Sequence, residues 1–158
     1  HTLSVTLLLD VISKHYRGVN RDLLIASGIL HDIGKVFELS GGISPDYTDT
    51  GRLLGHIYLG ARFVDDFIGK IDGFPQDLRD VLIHTLLSHH GEYEYGSPKR
   101  PKTIEALILH YVDNMDAKVS GVRESMESEE GLKKGWTDYH RVFGRRFYYF
   151  GDGSEEED

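Results

Sequence analysis

Leu3, Val5, Leu7, Leu8, Leu9, Val11 and Ile12 crowd the start of the chain and predict a packed helix over residues 2–16 that stops near Gly18. Asn20 is a natural N-cap for the next helix, 21–31, whose apolar run Leu23-Leu24-Ile25-Ala26-Ser27-Gly28-Ile29-Leu30 predicts burial nearly all round. Residues 38–51 carry Gly, Ser, Pro, Asp and Thr and read as a loop, long enough for a lid or a substrate-facing segment. Over 53–71 the positions Leu53, His56, Ile57, Gly60, Phe63, Val64, Phe67 and Ile71 recur at spacings of three and four and form one helical stripe, with a histidine on it. Pro75 opens the next helix, which runs to about Ser88 with Leu78, Val81, Leu82, Thr85 and Leu86 inward, and His89-His90-Gly91 closes it. Residues 91–102 read as a loop with a small basic cluster. Thr103 caps a helix over 104–126 that has Leu107, His110, Tyr111 and Asn114 on one side. The aromatic and basic stretch 136–150 fits either a last helix or a short strand pair. With no strand pattern elsewhere, no repeat and no linker, the fold reads all-α.

Composition narrows the class. A chain of 158 residues suits one domain with a real core, and 39% hydrophobic with 28% charged residues is ordinary for a soluble globular protein. No apolar run approaches the ~18 residues of a membrane span, and no signal-peptide pattern is present, so no membrane partner is expected. The absence of cysteine removes disulfides and thiolate metal sites and fits a cytoplasmic protein. Net charge is −8, and Ser154-Glu155-Glu156-Glu157-Asp158 reads as an acidic, disordered tail, so the expected organisation is a domain over 1–150 with a tail over 151–158. So acidic a chain is a poor nucleic-acid binder by itself, because phosphate contacts need Lys and Arg. The chain begins at His1, already inside a helical pattern, and reads as a fragment whose N-terminal segment is missing.

The chemistry concentrates at His31-Asp32, which ends the buried run and is followed by Ile33-Gly34-Lys35. Ionisable groups there are costly unless paired or coordinating something. His1, His56, His89, His90 and Asp113 are matching partners elsewhere in the chain. Singly each has a plain explanation. A histidine on an apolar face is more often a hydrogen-bonded core residue, and His15, His84, His110 and His140 are bystanders in a chain with nine histidines. The set is less ambiguous, since each member stands at the end or inner face of a separate predicted helix, and a helical bundle can point such groups into one cavity. Nitrogen and carboxylate ligands without sulfur suit Mn, Fe, Co, Ni or Zn.

Ile29-Leu30-His31-Asp32-Ile33-Gly34-Lys35 resembles the motif of the HD-domain metal-dependent phosphohydrolases, and the ordered set of ligands resembles their two-metal members. The stretches TDTGRLLGHI (48–57), LSHHGEYEYGSPKRP (87–101) and LHYVDNMDAK (109–118) resemble the YhaM-type 3′→5′ exoribonucleases, which join an N-terminal OB-fold module to an HD domain. The resemblance implies an HD-domain helical bundle with a metal site in its centre. It implies two divalent ions, manganese first, with Fe, Co, Ni, Mg or Zn admitted. One would be held by His1, His31, Asp32 and Asp113, the other by His56, His89 and His90, with Asp32 bridging. It implies hydrolysis by a hydroxide bridging the metals, on single-stranded RNA or DNA, with the OB-fold module as partner.

Lys35, one helical turn beyond His31, is expected to face the scissile phosphate, and Gly34 to let the backbone turn without a side chain beside the metals. Arg52, Lys99, Arg100 and Lys102 are candidate phosphate contacts, Tyr93 and Tyr95 candidate base-stacking rings. Asp116 is a reserve ligand, and His110 could hold a ligand from behind. Two other readings stand beside the exonuclease: a nucleotide or cyclic-nucleotide phosphohydrolase, and a non-catalytic metal-binding interaction module. Trp136 and Phe147 to Phe150 offer an apolar surface for either core or a homo-oligomer interface.

Overall fold

Helix α1 (Thr2–His15) is followed by α2 (Arg21–Leu30), the short α3 (Lys35–Glu38), α4 (Asp49–Ile68), α5 (Gln76–Ser88), a 3-10 turn (Tyr93–Tyr95) and α6 (Ile104–Ser128), in a computed structural model that describes residues 1–42, 44–128 and 135–151. The expected acidic tail, Ser154 to Asp158, lies outside the described residues. His1–Asn114 form one unit and the described residues from Met115 onward a second. The fold is all-α, and no helix among the described residues is long and apolar enough to cross a membrane.

Helix starts follow local chemistry. The Asn20 side chain accepts from the Leu23 N–H at 3.1 Å, Thr48 caps α4 through the Gly51 N–H at 2.9 Å, and Thr103 caps α6 through the Ala106 N–H at 3.1 Å. Pro75 is the cap residue of α5, one position ahead of its first turn. The expected loop is shorter than 38–51, because α4 begins at Asp49. Its ends are tied by a Leu39–Tyr47 bridge and by the Ser40 N–H on the Asp46 carbonyl.

Two apolar clusters hold the first unit together. Val5 and Leu9 of α1, Leu24 of α2, and Leu109 and Val112 of α6 make one. Leu23 of α2, Ala61, Val64 and Ile68 of α4, and Leu82 and Leu86 of α5 make the other. Adjacent Leu23 and Leu24 thus serve different clusters, which is why α2 needs apolar residues on more than one side. It is not buried all round, however: Arg21 and Asp22 are exposed, and Ile29 is 53% exposed.

The α4 stripe is also interrupted. Gly55 has φ +71°, a left-handed conformation that breaks the helical phase. Leu53, ahead of the break, is 82% exposed, whereas Ile57, Gly60 and Val64 behind it are buried. On α6 the inward residues are Ala106, Leu109, His110 and Val112, while Leu107 and Tyr111 of the expected side face out.

In the second unit the aromatic stretch resolves as a strand pair rather than a helix. Strands β1 (Gly135–Trp136) and β2 (Tyr148–Tyr149) are antiparallel, with Trp136 opposite Tyr148. Buried Thr137 accepts the Phe147 N–H through its hydroxyl at 3.0 Å, and His140, Phe143 and Phe147 cluster edge to face. Trp136 and Phe150 are exposed.

Candidate metal centre

Helix ends and one kink aim the site. His1 is the N-cap of α1, its carbonyl taking the Val5 N–H. His31 is the C-cap of α2, and Asp32 lies in the turn that leads into α3. His56 follows the Gly55 break in α4, His89 is the C-cap of α5 with His90 next, and Asp113 lies on α6. Two adjacent histidines can serve one cavity because they sit where the helix stops.

Each of four rings is tethered through Nδ1 to an acceptor: His31 to the Gly28 carbonyl (2.8 Å), His89 to the Leu86 carbonyl (2.7 Å), His90 to the Tyr95 carbonyl (2.9 Å) and His56 to the Glu38 carboxylate (3.2 Å). An acceptor at that position requires the proton on Nδ1, which leaves the Nε2 lone pair bare. The Nε2 atoms of His31, His56 and His89 are buried with no hydrogen-bond partner. An unsatisfied buried polar atom costs roughly 1–3 kcal/mol, so three at one place call for something that accepts lone pairs.

The donor set completes the fit. One ligand atom from each of His56, His89 and His90 falls within 4.8 Å of the others, as does one from each of His1, His31 and Asp113. Asp32 stands between the two triads. Its Oδ2 is 3.4 Å from His31 Nε2, and its Oδ1 is 3.7 Å from His56 Nε2 and 4.0 Å from His89 Nε2, ion-pair distances without hydrogen-bond geometry. Imidazole nitrogens and carboxylates converging without sulfur suit a divalent cation of borderline character.

Electrostatics favour the ligand protonation state at Asp32 and His89, whereas Asp113 and His31 are shifted the other way. Burial pushes the Asp32 carboxyl up, but His31 and Lys35 beside it outweigh that and hold it well below the usual range, so it is ionised. Burial, with a like-charge contribution from Asp32, raises Asp113. For His31, burial works downward but the Asp32 carboxylate more than offsets it and the net shift is up. Burial holds His89 down to about 3, so its ring is neutral.

Lys35 Nζ rests 2.6 Å from Asp32 Oδ2, its side chain 46% exposed. The expected role of Gly34 is corrected in one half: its φ of −62° is ordinary helix, so the turn itself does not require glycine. The need is closeness, since a Cβ at Gly34 would lie 1.9 Å from the His56 carbonyl oxygen. Gly34 lets the His31-Asp32 turn press against α4.

The other candidates are not gathered into the triads. Arg52 pairs with Asp46 at 2.9 Å and lies over Tyr47. Arg100 pairs with Glu92 and lies over Tyr93. Lys99 and Lys102 line a surface cavity of about 350 Å³ with His84, Asp65 and Asp80. Tyr93 and Tyr95 are exposed on the 3-10 turn. Asp116 is buried and belongs to the second unit. His110 is buried, and its Nδ1 donates to the His89 carbonyl at 2.9 Å, gripping a candidate ligand from behind.

Sequence reasoning missed Glu38, a buried carboxylate that takes both the backbone N–H and the ring of His56. Its one signal was an acid placed three residues after Lys35, which in a single chain looks like any loop-edge glutamate.

No solved structure matches the chain. The family model described as HD domain matches residues 1–118, well over half of its length. With that match and these converging His and Asp groups, the chain belongs to the HD domain family, whose members are generally metal-dependent phosphohydrolases.

Proposed function

We propose that this domain is a metal-dependent phosphodiesterase that removes nucleotides from the 3′ end of single-stranded RNA, with single-stranded DNA as the related substrate. The observation that carries the phosphodiester chemistry is the place of Asp32, with one carboxylate oxygen toward His31 and the other toward His56 and His89. A carboxylate so placed can serve two cations and offset their mutual repulsion. His1, His31 and Asp113 would hold one ion, and His56, His89 and His90 the other, each shared with Asp32, manganese being the first choice. Bound there, such ions supply Lewis acidity toward phosphoryl oxygens and make water nucleophilic at neutral pH.

The chain's own groups do the rest. Asp32, ionised and held by Lys35, keeps a fixed negative charge between the triads. Lys35, partly exposed beside Asp32 on a flexible stem, would turn its ammonium to a phosphoryl oxygen and offset charge that develops as the ester bond breaks. The Nδ1 tethers fix the rings, so little reorganisation accompanies reaction.

Support for a single-stranded polynucleotide comes from the loop sequences that resemble YhaM-type exoribonucleases and from the exposed faces of Tyr93 and Tyr95. The Tyr95 carbonyl holds His90, so that turn borders the triads. A chain of net charge −8 has little basic surface for a long strand. The reading therefore includes an OB-fold module as the partner that supplies it.

The test is a 5′-labelled single-stranded RNA incubated with protein and Mn²⁺. The expected result is a ladder shortening from the 3′ end with release of nucleoside monophosphates. Asp32→Ala should lower turnover by at least about 10³-fold and reduce bound metal in elemental analysis. Turnover of free or cyclic nucleotides alone would replace the reading with a nucleotide phosphohydrolase. Undiminished activity of Asp32→Ala would remove the site.

A further inference from the structure

Of the four tethered rings, His56 is the one whose Nδ1 meets a carboxylate; those of His31, His89 and His90 meet neutral backbone carbonyls. Glu38 comes to His56 from 18 residues away and is only 8% exposed. Buried carboxylates need partners, and this one has two on the same residue. Its Oε1 accepts the His56 backbone N–H at 2.9 Å, and both oxygens lie 3.2 Å from His56 Nδ1.

The local backbone explains why. The left-handed Gly55 interrupts α4, so the helix restarts at His56 and that N–H has lost its place in the helical ladder. Glu38 caps the restart, and a carboxylate is favoured there by the helix dipole. Glu38 is itself clamped. Its N–H donates to the Gly34 carbonyl, its carbonyl accepts the Thr48 N–H at 2.9 Å, and Gly51 packs so close that a Cβ there would lie 2.2 Å from the Glu38 carbonyl oxygen.

We propose that Glu38 is a positioning residue that keeps the proton of His56 on Nδ1 and aims its bare Nε2 at the cation held by His56, His89 and His90. A carboxylate behind a ligating imidazole fixes the ring and strengthens it as a donor. His56 and His31, one from each triad, are then held differently: a buried carboxylate stands behind the first ring and a backbone carbonyl behind the second. Glu38 touches neither substrate nor cation and acts through His56. The proposal rests on the metal reading given above.

Imidazole nitrogen NMR on metal-free protein and Mn²⁺ titration calorimetry together test it, on wild type, Glu38→Gln and Glu38→Ala. Wild type should show His56 protonated on Nδ1. Glu38→Ala should weaken one of two Mn²⁺ binding steps by about 10–100-fold and leave the other unchanged. Glu38→Gln, which can still accept from Nδ1, should recover part of the loss and provides a folded variant if Glu38→Ala does not fold. A His56 proton on Nε2 in wild type overturns the proposal, as does a folded Glu38 variant in which both steps are unchanged or equally weakened. Wild-type protein that binds no Mn²⁺, with the His56 proton still on Nδ1, instead overturns the metal reading on which the proposal stands.

Discussion

His89, 1% exposed and tethered to the Leu86 carbonyl, is neutral in the folded protein, because burial holds its pKa down to about 3 against an ordinary value of 6.5. Above pH 6.5 both folded and unfolded chains carry it neutral. As pH falls from 6.5 toward 3, the unfolded chain takes a proton that the folded one refuses, so stability is lost with falling pH, by up to about 1.4 kcal/mol per unit. In metal-free protein, urea unfolding of wild type and His89→Asn across that range should show the wild type's advantage shrinking as pH drops. An advantage that stays constant or grows would mean that burial does not hold the ring's pKa down. Asp32 behaves oppositely to a lone buried acid. His31 and Lys35 beside it overcome the burial that would neutralise it, which suits a group required as a carboxylate.

At the scale of elements, two glycines that look alike in sequence do different work. Gly55 needs its conformation: φ is +71°, and a Cβ there would meet nothing within 4 Å. Gly34 needs its size: φ is ordinary, but a Cβ would collide with the His56 carbonyl. Gly55→Ala should therefore cost only the strain of a positive-φ, extended-ψ backbone that is essentially glycine-only, about 1–3 kcal/mol, and Gly34→Ala more than about 3 kcal/mol, because backbone must move. Denaturant midpoints of the two variants check the order, and the reverse order would contradict the close approach of the His31-Asp32 turn to α4. The same approach makes the site an affair of element ends. Caps, a kink and a tight turn bring seven side chains, from five helices and the turn after α2, to one place.

Over the whole molecule, α2 links the two apolar clusters through neighbouring leucines. Leu24, fully buried among α1, α2 and α6, should lose about 3–4 kcal/mol on change to Ala. Leu53, 82% exposed despite its place in the helical pattern, should lose no more than about 0.5 kcal/mol on change to Ser. Thermal or urea unfolding of both variants tests whether the clusters, rather than the sequence stripe, hold the fold. The stripe misled at Leu53 because one left-handed glycine resets helical phase, and periodicity cannot register a single dihedral. On α6, Leu107 and Tyr111 face out, while Ala106, Leu109, His110 and Val112 fill the buried face.

The local rules that need no partner were legible in the chain itself. These are the helical spans of α1, α2 and α5, the caps Asn20 and Thr103, and the presence of His and Asp at helix ends where apolar runs stop. Residue type and spacing set these, because capping and amphipathic burial act over a few residues. Which side chains stand behind the histidines was decided only by tertiary structure. Glu38 reaches His56 across the loop, Gly34 is squeezed against α4, and Arg52 and Arg100 are paired with Asp46 and Glu92. Each depends on distances between elements, and a single sequence carries no record of those until the cores on either side of α2 have closed.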